Sequence, residues 1–396
     1  MKRMLSIGLV LAMLLSLAAC GDISTADDRI PTSEETTTTT TAETTTTTNA
    51  TTATTTTVPT TSATTTAAPT TTTTEAEDGW GNWEDPIPPA TTEEPTTTTT
   101  LVDTRPQIKI LSIGHSFTVD AMRAYMWDLF EAAGYKVTLG YLYYPSCSIE
   151  QHWHYVTENR KVYEQYCKNE NGRWETQSSV AALTALWDED WDIVTFQPDP
   201  DFGYDKDIGY EKFTCKWGCT EKVESDYAHF DQLVDYVLGV LASSNNPHGP
   251  NTDVKVHYYL TWAYRQDCWL GNYLYPNCYD QLTLYQDYIA ATEKWVLPNS
   301  KVQGVIPCGT AIQNVRTSYM GDNFNSTSKN DGYHLNDEGD FVAALTWVCY
   351  FTGRQAKSID YMYGYRGTQY AAMAEAVDNA IARPWQVTES TYKTAP

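Results

Sequence analysis

Between residues 105 and 396, short apolar runs alternate with longer segments in which apolar residues recur every three or four positions. The runs are 107–113 (QIKILSI), 136–143 (KVTLGYLY), 192–196 (DIVTF), 254–260 (VKVHYYL) and 302–306 (VQGVI). Their length and their Val, Ile and Tyr content predict five strands. Helical periodicity is clearest over Val119–Ala133, Ser179–Trp187, Tyr227–Ala242, Gln281–Trp295, Glu338–Phe351 and Gln369–Ile381. Strands that alternate with helices imply parallel β-α-β units stacked as a three-layer αβα sandwich, an α/β fold that meets ligands at the carboxyl ends of its strands. No second low-complexity break divides 105–396, so it is expected to be one domain.

The first hundred residues follow a different pattern. Lys2 and Arg3 precede an apolar run from Leu5 to Leu17, which reads as a signal peptide over residues 1–19. The Leu-Ala-Ala-Cys that ends it resembles the lipobox of bacterial lipoproteins. That resemblance implies cleavage before Cys20, a lipid on Cys20, and an extracellular protein anchored to a bacterial membrane. No later segment reaches the roughly 18 apolar residues of a membrane helix. From residue 20 to 104 threonine dominates, with too few apolar side chains to offset the entropy of ordering the backbone, so a tether is expected. Its Thr/Pro composition suits an O-glycosylated stalk. The island at 77–89, with Trp80 and Trp83, reads as a kink in that linker.

The formal net charge of −24 and the lack of any basic stripe argue against nucleic acid as a partner. With Cys20 assigned to lipid, eight of the nine cysteines remain, an even number in an oxidising compartment. Cys215 with Cys219, and Cys268 with Cys278, read as local disulfides. The His152-Trp153-His154 triplet is a poor metal motif, because positions i and i+2 of a helix point apart. No metal or other cofactor is expected.

Chemistry concentrates at two ends of the domain. In "ILSIGHSFTVD" (110–120) a strand runs into Gly114, His115 and Ser116 ahead of a helical segment. A serine there could attack a carbonyl while its own N–H, at a helix N-terminus, steadies the oxyanion; it could equally serve as a helix cap. A nucleophilic serine needs a base, and the base a carboxylate that fixes its tautomer. In "NDGYHLNDEGDF" (330–341), Asp331 stands three residues before His334, so one loop can supply both.

Taken together, a strand ending in G-x-S and a late D-x-x-H resemble the SGNH or GDSL hydrolase superfamily. The resemblance runs from Ile110 to about Gly353. It implies a flavodoxin-like sheet of order 2-1-3-4-5 and a catalytic triad of Ser116, His334 and Asp331. It also implies an oxyanion hole built from the N–H groups of Ser116 and residue 146 and from the amide of Gln197. The stretch "YYPSCSIEQHWHY" (143–155) resembles a GGCSLxxHW element found in an uncharacterised SGNH-like branch of bacterial surface lipoproteins. Ser146 replaces a glycine of that element: the N–H survives, but any backbone angle that required glycine would strain serine. Gln197 stands where the superfamily usually has asparagine. By the same resemblance His152 lines the pocket; His115 either tunes the site or packs beside it. Asp199 and Asp201 read as solvated turn carboxylates.

Of the 28 tyrosines and 13 tryptophans, many fall in expected post-strand loops such as 257–279 and 204–219. Flat rings with polar tips suit sugar faces, although core packing explains at least half of them. The expected function is a surface serine esterase that removes acyl groups, O-acetyl above all, from a polysaccharide or other glycan ester. The alternative is an SGNH-fold glycan-binding lipoprotein whose catalysis has lapsed, for which the departures at Ser146 and Gln197 speak.

Overall fold

The computed structural model describes residues 103–199, 225–275, 277–328 and 331–396. The expected leader, Cys20, the tether with Trp80 and Trp83, the Cys215–Cys219 pair and Asp201 lie outside the described residues. One sheet organises the domain, formed by β1 (Gln107–Gly114), β2 (Lys136–Tyr143), β3 (Tyr163–Asn169), β4 (Trp174–Val180), β5 (Ile193–Phe196), β6 (Lys255–Tyr259) and β7 (Val302–Ile306). Its order is β4-β3-β2-β1-β5-β6-β7. The five apolar runs all form strands, and β2, β1, β5, β6 and β7 lie parallel to their neighbours in that order. The sheet nevertheless has seven strands and not five, because β3 and β4 add an antiparallel hairpin to the β2 edge.

The hairpin was not legible for a physical reason. β4 reads WETQSSV and is exposed along most of its length, as befits an edge strand, so it carries no apolar run. Where a helix was expected over Ser179–Trp187, the chain finishes β4 at Val180 and then makes only a short helix, Ala182–Leu186. The central strand behaves oppositely. In β1 the last five residues, Ile110 to Gly114, are all buried, as a strand covered on both faces requires.

Among the described residues the α-helices are α1 (Ser116–Arg123), α2 (Met126–Ala132), α3 (Ile149–Thr157), α4 (Ala182–Leu186), α5 (Phe230–Leu241), α6 (Trp269–Leu274), α7 (Gln281–Ala291), α8 (Cys308–Arg316), α9 (Asp337–Thr352) and α10 (Gly367–Ala382). The expected helix over Val119–Ala133 is thus two helices, broken at Ala124 and Tyr125. The helices α3, α4 and α5 pack together as one group; α1, α2, α8, α9 and α10 form another. Both groups reach β2, whose six inner residues are buried, so the sheet lies between them.

Cys268 and Cys278, expected to pair, are separate thiols: Cys268 is buried and Cys278 exposed. The Cys268 thiol instead donates to the Asp331 carbonyl at 3.7 Å, beneath the loop that carries His334.

Candidate active site

The carboxyl end of β1 sets the geometry. At Gly114 a Cβ would fall 2.3 Å from Thr118 Oγ1 and 2.7 Å from Gln197 Oε1, so only glycine lets α1 turn back this closely on the sheet. Gly114→Ala is expected to destabilise the domain by about 1–3 kcal/mol, the usual cost of overpacking, read as a lowered Tm in thermal unfolding. His115 follows as the N-cap of α1, and its Nδ1 accepts the Phe117 N–H at 3.4 Å. Its Nε2 lies 3.0 Å from the Pro198 carbonyl, which can only accept, so the ring proton sits on Nε2 and Nδ1 is an acceptor. Burial pushes the His115 ring down to about 3, against the pull of the Pro198 bond, and the ring stays neutral.

Ser116 is the first residue of α1, where backbone N–H groups lack intrahelical partners and negative charge is favoured. Its Oγ lies 2.8 Å from His334 Nε2 and 3.4 Å from His115 Nδ1. His334 Nδ1 lies 3.4 Å from Asp331 Oδ2. The structure therefore brings Ser116, His334 and Asp331 together across 218 residues of sequence. With Nδ1–H toward the carboxylate, Nε2 is left unprotonated and faces the serine hydroxyl, the tautomer that proton abstraction requires.

Asp331 has a second task, which its spacing from His334 does not announce. Its Oδ1 accepts the backbone N–H groups of Gly332, Tyr333 and His334 at 2.7, 3.2 and 3.0 Å, so the carboxylate folds its own loop. Gly332, at φ +110°, supplies the left-handed turn this closure needs. Burial opposes ionisation of Asp331, but the His334 N–H, the His334 ring and the other two N–H groups outweigh it and hold the carboxyl below the usual carboxylate range.

The His334 ring is boxed in. Tyr333 tilts against it at 4.5 Å and Phe117 meets it edge-on at 5.8 Å; Phe117 is itself stacked on Trp262 at 4.4 Å. Trp262 Nε1 donates to the Tyr333 carbonyl at 2.8 Å, and Arg265 N–H to the Gly332 carbonyl at 2.8 Å. Ser326 N–H donates to the His334 carbonyl at 2.9 Å, and the Leu335 N–H donates to Asp120 Oδ2 at 3.1 Å.

Ser116 opens on a cleft of ≈ 220 Å³ lined by His115, Phe117, Ser146, Asp199, Tyr264, Trp269, Leu270 and Tyr333. A larger groove of ≈ 640 Å³ lies over the β3–β4 hairpin, where Lys168, Arg173 and Glu175 line it and no serine–histidine pair does.

Ser146 adopts φ +46°, the left-handed region that a glycine would enter without strain. Its backbone follows the glycine-like path with its N–H intact. Gln197 is fully buried and its Oε1 accepts from Thr118 Oγ1 at 2.6 Å and from the His115 N–H at 3.4 Å. Its oxygen thus braces the turn that leads into Ser116, while Nε2 is a buried donor with no hydrogen-bond partner among the described residues.

Two placements correct expectations from the sequence. His152 does not line the cleft: it is fully buried on α3, stacked on Tyr163, with Nδ1 2.8 Å from the Tyr163 hydroxyl. Burial pushes its ring down to about 3, with neighbouring His115 adding to the effect. The covering residue belongs to β3, the strand that the sequence pattern hid. Asp199 is buried on the cleft wall and is not a solvated turn residue. His154 and His229 both meet Glu150, with His154 Nε2 at 3.3 Å and His229 Nδ1 at 2.8 Å. No cluster of three or more metal-ligating side chains occurs among the described residues.

Asp120 escaped the sequence reading. The signal was its place four residues after Ser116, a spacing that becomes one helix face because the helix starts at Ser116 and not at Val119 as expected.

Comparison with known proteins gives a family. Residues 109–214 and 221–380 match DUF4886, described as a domain of unknown function. A crystal structure of a DUF4886 family protein from Bacteroides uniformis ATCC 8492 is similar at 29% identity, covering 72% of this chain and 98% of that one, with a TM-score of 0.59. An acetyl xylan esterase is similar at 15% identity, covering 61% and 98% of the two chains, with a TM-score of 0.32. The lipase Lip_vut3 from a goat rumen metagenome is similar at 11% identity, covering 62% and 97%, with a TM-score of 0.31. The last two overlap too loosely to bear on the chemistry. No curated protein matches the sequence.

Proposed function

This chain belongs to the DUF4886 family, and from that premise we propose that it is an SGNH-type serine esterase that deacylates a glycan ester outside the cell. One observation carries the reading: the 2.8 Å contact between His334 Nε2 and Ser116 Oγ, with Asp331 Oδ2 behind the ring. In the proposed reaction Ser116 Oγ attacks the ester carbonyl while His334 Nε2 takes its proton. The resulting imidazolium, steadied by Asp331, returns that proton to the alcohol as the C–O bond breaks. Water then repeats the sequence on the acyl-enzyme and frees the acid.

The N–H of Ser116, at the start of α1, and that of Ser146, on the cleft wall, are the oxyanion donors in this account. Each such donor contributes about 2.7–4 kcal/mol to transition-state stabilisation. The Gln197 amide is the third candidate donor.

The glycan preference is supported by α6. Trp269 lines the cleft yet is 51% exposed, and Tyr273, four residues on along the same helix face, is 71% exposed. Two exposed rings beginning at the cleft wall suit stacking on successive sugars of a polymer. Tyr273→Ala is expected to raise KM for an acetylated polysaccharide by about two- to tenfold, the equivalent of about 0.5–1.5 kcal/mol. Turnover of p-nitrophenyl acetate, which is too small to extend from Ser116 to Tyr273, should stay within about twofold. A lipid on Cys20, followed by the threonine-rich tether, would hold the catalytic domain away from a bacterial membrane among surface polysaccharides.

The test is acetate release from acetylated polysaccharides by the full chain. Release that depends on Ser116 supports the proposal. A folded protein that binds the polysaccharide and releases nothing would instead be the glycan-binding protein that shares this fold.

A further inference from the structure

Asp120 links the two halves of the candidate triad. It lies one helical turn after Ser116 in α1, and its Oδ2 accepts the N–H of Leu335, the residue directly after His334, at 3.1 Å. A single side chain therefore ties the helix of the nucleophile to the backbone of the base. α9 packs against α1, and Asp340 in its first turn feels the charge of Asp120 while its Oδ1 is buried with no hydrogen-bond partner among the described residues. We propose that Asp120 is a positioning residue that sets the His334–Ser116 contact by tying the backbone after His334 to the helix of Ser116, and that it works as one member of a half-buried carboxyl pair with Asp340. This inference rests on the esterase reading above.

The groups facing the pair are acidic or phenolic. Asp331 acts on Asp120 from the loop, and Asp337 acts on Asp340 from α9. Tyr259 of β6 faces both carboxyls, Tyr143 at the end of β2 faces Asp120, and Tyr125 between α1 and α2 faces Asp340. Burial pushes Asp120 up to about 8, opposed by the Leu335 N–H and reinforced by Asp331. Burial and then the neighbouring Asp120 push Asp340 up to about 9. At neutral pH the pair holds its protons and Asp120 still accepts through one oxygen. Once both protons leave, two like charges face the α1–α9 contact, which weakens it.

From about pH 4 the unfolded chain gives up protons that the folded pair retains, so the stability these groups contribute below pH 4 is lost progressively as pH rises to about 8–9. Asp340→Asn should flatten that decline in Tm.

The decisive comparison uses the full chain with Asp120→Ala, Asp120→Asn and Asp340→Asn. Asp120→Ala is expected to lower kcat at pH 7 at least tenfold with KM within twofold. Asparagine, which keeps the acceptor without the charge, should restore it. Wild-type kcat should fall reversibly between pH 8 and 9.5, and both asparagine variants should lack that fall. The ring resonances of His334 in isotope-labelled protein give a readout independent of turnover: they should move in Asp120→Ala and overlay the wild type in Asp120→Asn. Absence of Ser116-dependent turnover in the wild type would sink the esterase reading, and the resonances would still judge the tie. Unmoved His334 resonances in Asp120→Ala, or an alkaline fall that persists in both asparagine variants, would overturn this inference.

Discussion

Replacing Ser116 with alanine is expected to lower ester turnover by at least about 10³-fold, leaving only what substrate binding and the oxyanion donors supply. The size of the effect follows from geometry. The serine Oγ lies within hydrogen-bond reach of both His334 Nε2, at 2.8 Å, and the neutral His115 Nδ1, at 3.4 Å. Removing it leaves the base with nothing to deprotonate except a loosely placed water. The fold should not suffer, because the α1 cap comes from His115 and not from Ser116. Steady-state kinetics beside a thermal melt separates the two effects: lost turnover at unchanged Tm is the expected result.

The second large effect is at Asp331, where two substitutions separate two roles. Asp331→Asn keeps an oxygen for the N–H groups of Gly332, Tyr333 and His334 but removes the charge that fixes the His334 tautomer. Turnover should drop by about 10⁴-fold, the scale on which a wrong tautomer disables a triad, with the fold intact. Asp331→Ala strips the acceptor as well and leaves three N–H groups without their partner, at about 1–3 kcal/mol for each one that water does not reach. That variant should lose stability as well as activity. Equal Tm values for the two variants would show that the loop does not depend on the carboxylate.

What could be read in advance follows a physical divide. β1 and β2 were visible because a parallel strand buried on both faces must be apolar along its length. β3 and β4 were not, since an edge hairpin with one wet face has no such run, and missing it also misplaced His152, which packs against Tyr163 of β3. Ser116, Asp331 and His334 stood out as a pattern of residue types, and the structure places them within contact. Asp120 did not stand out, because its bond goes to a main-chain N–H, which leaves no partner residue type to recognise. The cysteines misled for a related reason: nine residues separate Cys268 from Cys278, which suits a loop staple, yet Cys268 is spent packing beneath the Asp331 carbonyl.

The most direct test of the central claim is covalent. The full chain is incubated with a fluorophosphonate, which captures a serine only when a base has made it nucleophilic, and the adduct is located by peptide mass mapping. One adduct is expected, on Ser116, formed at least about 10²-fold more slowly in His334→Ala, in keeping with the contribution of a general base. A folded protein with no adduct at Ser116, or one that reacts equally fast without His334, would contradict it.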